Sequence, residues 1–209
     1  MTVEQRPQRI RPFWCVELKT ALTCDSSMSI TAGTHRLGPE NAALVLNTGR
    51  AGAAAKAGHD LVIDVTSWEA TVAIGEAPDQ ISVGLNADAT SLRVRAGTGG
   101  MKALTDDDKN SIRKTIDDDI LKAQAIEFHS TRVEGVDNGR RLSVQGDLRL
   151  VGEVRPIGCE VTVGEHGELS ARATVKQTAW GIKPYSALFG ALKVADEVEV
   201  VIEATLPSG

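Results

Sequence analysis

From Arg141 to Leu150 the chain alternates with period two. Leu142, Val144, Gly146, Leu148 and Leu150 are separated by Arg141, Ser143, Gln145, Asp147 and Arg149. Successive side chains of a strand point to opposite faces, so this segment reads as a strand with one apolar and one polar face. Similar runs follow at Ile157–Val163, Leu169–Val175 and Val198–Leu206, and others precede it at Leu44–Asn47, Leu61–Ile74, Ile81–Val94 and Ile126–Val133. Two of these change phase. Leu61, Ile63, Val65 gives way to Trp68, Ala70, Val72, Ile74, and Ile81, Val83, Leu85, Ala87 gives way to Leu92, Val94. A phase change marks a bulge or a turn, which is how a strand bends around a closing sheet. Asp137-Asn138-Gly139 and Glu165-His166-Gly167 carry hairpin chemistry between runs. About eight such strands with short turns predict an all-β chain whose antiparallel sheet closes into a barrel.

One helix breaks the series. Thr105 is the expected N-cap, and Asp106, Asp107 and Asp108 set negative charge on the first turn, where the helix dipole favours it. Ile112, Ile116 and Ile120 recur every four residues beside Leu121, one apolar stripe suited to a helix that flanks or lids the barrel. The acidic triplets read as a solvated, capped face rather than as metal ligands.

Residues 1–30 lack sustained alternation and carry Cys15, Cys24, Pro7, Pro12 and a Ser-rich patch. They are expected to be a loosely ordered extension ahead of a barrel domain at 31–209, with Met28 as an alternative start. The polar N-terminus has no signal-peptide core, so a cytoplasmic location is expected. In that compartment the cysteines are expected to be free thiols, with Cys159 a small core hydrophobe.

The formal net charge of −5 comes without a basic cluster, which argues against nucleic acid. No apolar run approaches the ~18 residues of a membrane-spanning helix. Gly97–Gly100 lacks the Gly-Lys-Ser/Thr ending of a phosphate loop, Ser186 sits in no nucleophile elbow, and His35, His59, His129 and His166 form no ligand-spaced pair. No metal, no cofactor and no catalytic residue is assigned. What remains is the barrel interior. Its expected inner positions include small residues, namely Ala70, Ala87, Ala89, Gly146, Ala171, Ala173 and Ala204, which leave room for one small ligand.

The order of segments is informative as well. A strand ending in "AGHDL", then "SWEATV" and "SLRV", an acidic-capped helix running into "IEFHST", the strand "LSVQGDLRLVG" and a C-terminal "KVADEVEVVIEATL" together resemble the YceI-like family over about residues 33–207. The resemblance implies a lipocalin-like extended barrel that encloses a long isoprenoid chain, with a homodimer common among members. The expected function is non-enzymatic binding or carriage of a polyisoprenoid, quinone tail or similar lipid. Candidate wall residues are Trp68, Val83, Leu85, Phe128, Leu148, Ala171, Ala173 and Val200, with Trp180 and Tyr185 expected at the rim, where an amphipathic ring suits a wet end. The alternative is an enzyme acting on a hydrophobic small molecule, with His59 or His129 as general base. A third reading, a purely structural interaction domain, predicts a filled barrel.

If residues 1–27 are dispensable, protein starting at Met28 should melt as the full chain does. An insoluble truncate, or one that loses several kcal/mol in thermal melting, would show that the extension belongs to the core.

Overall fold

The chain is described by a computed structural model covering residues 32–75, 80–136 and 140–206. Residues 1–31, with Cys15 and Cys24, and the Asp137-Asn138-Gly139 turn lie outside the described residues. The strands are β1 (Gly33–Leu37), β2 (Ala42–Ala51), β3 (His59–Val65), β4 (Trp68–Ile74), β5 (Ser82–Ala87), β6 (Leu92–Gly99), β7 (Ile126–Val136), β8 (Arg141–Leu150), β9 (Glu153–Val163), β10 (Glu168–Lys176), β11 (Ser186–Ala187) and β12 (Leu192–Thr205). All twelve belong to one antiparallel sheet, in the order β1-β4-β5-β7-β8-β9-β10-β12-β2-β3-β6, with the two-residue β11 attached to β12. The all-β expectation therefore holds, and the count of about eight is corrected upward. The main reason is that each phase-changing run is two strands.

Those phase changes are corners. β3 and β4 are separated only by Thr66 and Ser67, yet β3 lies beside β2 and β6 while β4 lies beside β1 and β5. The β5–β6 connection through Asp88–Ser91 makes the same jump from one end of the sheet to the other, and so does the β1–β2 turn. The corners bind each other. Thr66 donates from its backbone N–H (3.1 Å) and from Oγ1 (2.8 Å) to the Ser91 carbonyl, and the Asp88 N–H donates to the Ser67 carbonyl at 3.0 Å. Leu37, Val65, Ala89 and Leu92 pack around them, all buried. The sheet thus curls into a barrel whose end strands β1 and β6 share no ladder but are tied through three corners.

The alternation of β8 is realised residue by residue, with Leu142, Val144, Leu148 and Leu150 buried and Arg141, Gln145, Asp147 and Arg149 exposed. Gly146 has a different role from the one expected. A Cβ there would lie 2.4 Å from the Phe128 ring, so the glycine seats that ring instead of leaving space. After β10, a tight turn at Gln177–Trp180 folds back. Gln177 Nε2 donates to the Ala195 carbonyl (2.8 Å) and the Trp180 indole N–H to the Leu148 carbonyl (3.1 Å).

The helix α1 (Asp106–Thr115) starts at Thr105 with a complete capping box. Asp108 N–H donates to Thr105 Oγ1 (3.2 Å), and Thr105 N–H donates back to Asp108 Oδ2 (3.0 Å). Its end widens into a π turn at Ile116–Ile120, closed by Leu121 N–H on the Ile116 carbonyl at 2.8 Å. Arg113 reaches the half-buried Asp117 at 3.7 Å.

Thr105→Ala should cost about 1 kcal/mol in thermal melting and Asp118→Ala, on an exposed site, under ~0.5 kcal/mol. The hydrogen bonds from the Thr105 backbone and hydroxyl hold the Asp108 carboxyl below its ordinary range. The part of this contribution that depends on the ionised carboxylate is fully present above the unfolded carboxylate value and lost as pH falls through the lower folded one, so the cost of Thr105→Ala should shrink in acid without vanishing, because the bond from Asp108 N–H to Thr105 Oγ1 does not titrate.

Candidate functional site

The inner face of the curled sheet encloses a cavity of about 580 Å³. Every strand from β1 to β10 contributes apolar side chains to its wall, as does β12. Many of these inward residues, such as Leu46, Leu61, Val83, Leu85, Val200 and Ile202, are only half-buried although they face the interior. In a filled core the same positions would be closed by neighbours. Most members of two apolar clusters line the space. The larger surrounds the corners and the helix, and the smaller is built from Ile81, Val133, Leu142, Val144, Val161 and Val163. Phe128 packs against both.

Of the ten residues singled out from sequence, Val83, Leu85, Phe128, Leu148, Ala171, Ala173, Tyr185 and Val200 are brought together on this wall. Trp68 and Trp180 are not. Trp68 is buried at the start of β4 among the corner residues, with its indole N–H unpartnered. Trp180 is 5% exposed and its N–H is held by Leu148, which corrects the expectation of a rim position. The amphipathic ring found a carbonyl inside the fold rather than water. Tyr185 does stand at the edge, 47% exposed. Among the small residues, Ala70, Ala87, Ala171 and Ala173 line the cavity, whereas Ala89, Gly146 and Ala204 do not.

The helix expected to lid or flank the barrel supplies wall residues of its own. Ile112, Ile116, Ile120 and Leu121 all line the cavity. Polar groups gather where β2, β3 and β12 meet: Thr48, Arg50, His59, Lys193 and Tyr185. Continuing the phase of Leu44 and Leu46 along β2 would have found Thr48 and Arg50. Arg50 Nη1 donates to the Gly58 carbonyl (2.9 Å), and its Nε lies 3.5 Å from Asp60 Oδ2. His59 Nε2 is 2.7 Å from the Lys102 carbonyl. His129 is exposed and registers with Gly84 and Asp147, away from the cavity. Among the described residues no cluster of three or more His, Cys, Asp or Glu is placed to hold a metal ion. None of their helices is long and apolar enough to cross a membrane.

The sequence model of the YceI-like domain matches residues 45–206, which span β2 to the end of the barrel. The chain belongs to the YceI-like family. By sequence, no curated protein matches it. Among solved structures, this YceI-like chain is similar to Burkholderia cenocepacia BcnA, at 16% identity over 78% of this chain and 94% of that one, with a TM-score of 0.56. It is also similar to a mutant YceI protein of Campylobacter jejuni determined with a monobromobimane guest, at 12% identity over 70% and 84% of the two chains, with a TM-score of 0.52. At these identities the likeness establishes the fold.

Cys159 is a cavity-wall residue whose thiol is pushed up to about 11 by burial. It should stay protonated and react slowly with iodoacetamide at pH 8, as read on its own peptide by mass spectrometry. Its raised value also means that the part of stability it controls is present below the unfolded thiol value and is lost as pH rises from there through about 11. Rapid labelling at pH 8 would mean the cavity wall opens to water around β9.

Proposed function

We propose that this YceI-like barrel binds and carries a long apolar chain of the polyisoprenoid class, quinone tails included, without transforming it. The observation that carries the reading is the apolar cavity of about 580 Å³, whose wall side chains remain half-open to its interior. Its volume falls in the range of ligand pockets, and its lining would contribute roughly 25 cal/mol for each Å² of apolar surface withdrawn from water. The expected partner follows from family membership and from a wall that offers almost nothing to a polar ligand. Arg50, His59, Tyr185 and Lys193 gather on the polar side of the wall, where a head group would be held. The competing enzymatic reading loses support from the placement of its two bases, since His129 is outside and a ring nitrogen of His59 is engaged by a backbone carbonyl.

Ala173 tests the cavity directly. It faces inward from β10, while Thr174 beside it is exposed. In a filled core Ala173→Phe would overpack and cost about 1–3 kcal/mol. In an open cavity the delipidated variant should melt close to the wild type, and the added stability from bound lipid should shrink with its affinity. Thr174→Phe should leave lipid binding unchanged. Organic extraction of each purified protein, followed by mass spectrometry, should recover an isoprenoid-type lipid from the wild type and less from Ala173→Phe. A delipidated Ala173→Phe that melts far below wild type, with no lipid from either protein, would end the carrier reading.

A further inference from the structure

A ligand of this kind is insoluble in water, so the route between barrel and membrane matters as much as the cavity. One segment beside the polar side of the wall has features that the interior does not explain. After β11 the chain makes a tight turn at Leu188–Gly190 before entering β12. There Phe189 is fully exposed and Leu188 is 59% exposed. Leu188 sits at φ 51° and Phe189 at φ 55°, a backbone region that non-glycine residues rarely hold without reason. The fold thus bends its backbone unfavourably and leaves two large apolar side chains in water. Neither feature helps stability, and together they form an apolar tip.

The tip is continuous with the cavity. Tyr185 on one side of it and Leu192, Lys193 and Val194 on the other are wall residues. The chain segments that form it are free of acids as well. In a chain of net charge −5, no acid occurs from Gly181 to Lys193 or from Ala51 to His59. Lys183 and Lys193 bracket the tip, and Ala54 N–H donates to the Ala191 carbonyl at 2.8 Å, bringing the Lys56 turn against its base. The nearby carboxylate Asp60 is paired with Arg50. Two exposed apolar side chains amid three exposed lysines suit an anionic bilayer surface, into which rings and aliphatic chains dip while ammonium groups meet the phosphates.

We propose that the Leu188-Phe189 tip docks the barrel on an anionic lipid surface, so that an apolar chain passes between bilayer and cavity beside Tyr185 and Lys193. The inference rests on the carrier reading and deepens it.

The test uses the full chain in flotation with phosphatidylcholine vesicles, with and without phosphatidylglycerol, alongside cavity occupancy read with N-phenyl-1-naphthylamine. The wild type should float with the anionic vesicles, more weakly with the neutral ones, and less in high salt. Phe189→Gly and Leu188→Ser should each weaken flotation about tenfold. Lys56→Gln with Lys183→Gln should remove most of the preference for phosphatidylglycerol. All variants should bind the naphthylamine probe as the wild type does. Phe189→Gly should melt at or above the wild-type temperature, because glycine accepts the positive φ.

A wild type that binds the probe but does not float overturns the docking site and leaves the carrier reading standing. Flotation without probe binding overturns the carrier reading on which the inference rests. Undiminished flotation of Phe189→Gly overturns the role of the tip. A concentration-dependent dimer that this variant abolishes, without flotation of the wild type, would assign the tip to a second copy and also overturn the proposal.

Discussion

The architecture depends on three corners that force one sheet to meet itself. A twelve-stranded open sheet would present a wide apolar face to water. Here the connections β1–β2, β3–β4 and β5–β6 each carry the chain between the two ends of the sheet, and Thr66, Ser67, Asp88 and Ser91 lock two of them together through backbone and hydroxyl hydrogen bonds. A corner substitutes covalent continuity for a missing ladder. It also fixes which side of the sheet is inside, because each two- or four-residue link resets the period-two phase of the strand that follows.

With closure fixed by hydrogen bonding, the interior need not be filled for the fold to hold. Ladders around the path set the radius of the barrel, and alanines at Ala70, Ala171 and Ala173 then leave volume that larger residues would take up. Elsewhere the same barrel is densely packed. Phe128 occupies the space above Gly146, and the Gln177–Trp180 turn is tied by Gln177 and Trp180 to backbone carbonyls. Rigid and hollow parts coexist because backbone ladders hold the strands in place, while side chains of the same strands only partly fill the space they enclose.

How much of this could be read from the chain depended on the range of the interaction. Alternation is a local property, so β8, β10 and the inner face of β12 were legible, and so was the Thr105 cap three residues from its partner. The two phase changes were visible too, but their meaning was not. Whether a run bends as one strand or breaks into two that part company depends on pairing partners far away in sequence. Trp180 shows the same boundary. Its amphipathic ring suggested a wet edge, and only the fold brings it to a carbonyl on β8. The wall role of Ile112, Ile116 and Ile120 stayed open because a stripe names a face without naming what it covers. Arg50 was missed for a simpler reason: the phase of β2 continues past the apolar run through Thr48.

The position of β12 in the strand order has a kinetic consequence. The last strand of the described chain is not at an edge; it lies between β2 and β10, pairing Ile202 with Leu44 on one side and with Ala171 on the other. During synthesis the ladder of β2, β3 and β6 therefore stays separate from the ladder that runs from β1 through β4, β5 and β7 to β10 until β12 has been made. Pairings of such long sequence separation are slow to form. Until then each portion shows a nascent apolar face to its surroundings, so the barrel closes only once β12 is in place instead of folding progressively from β1 onward.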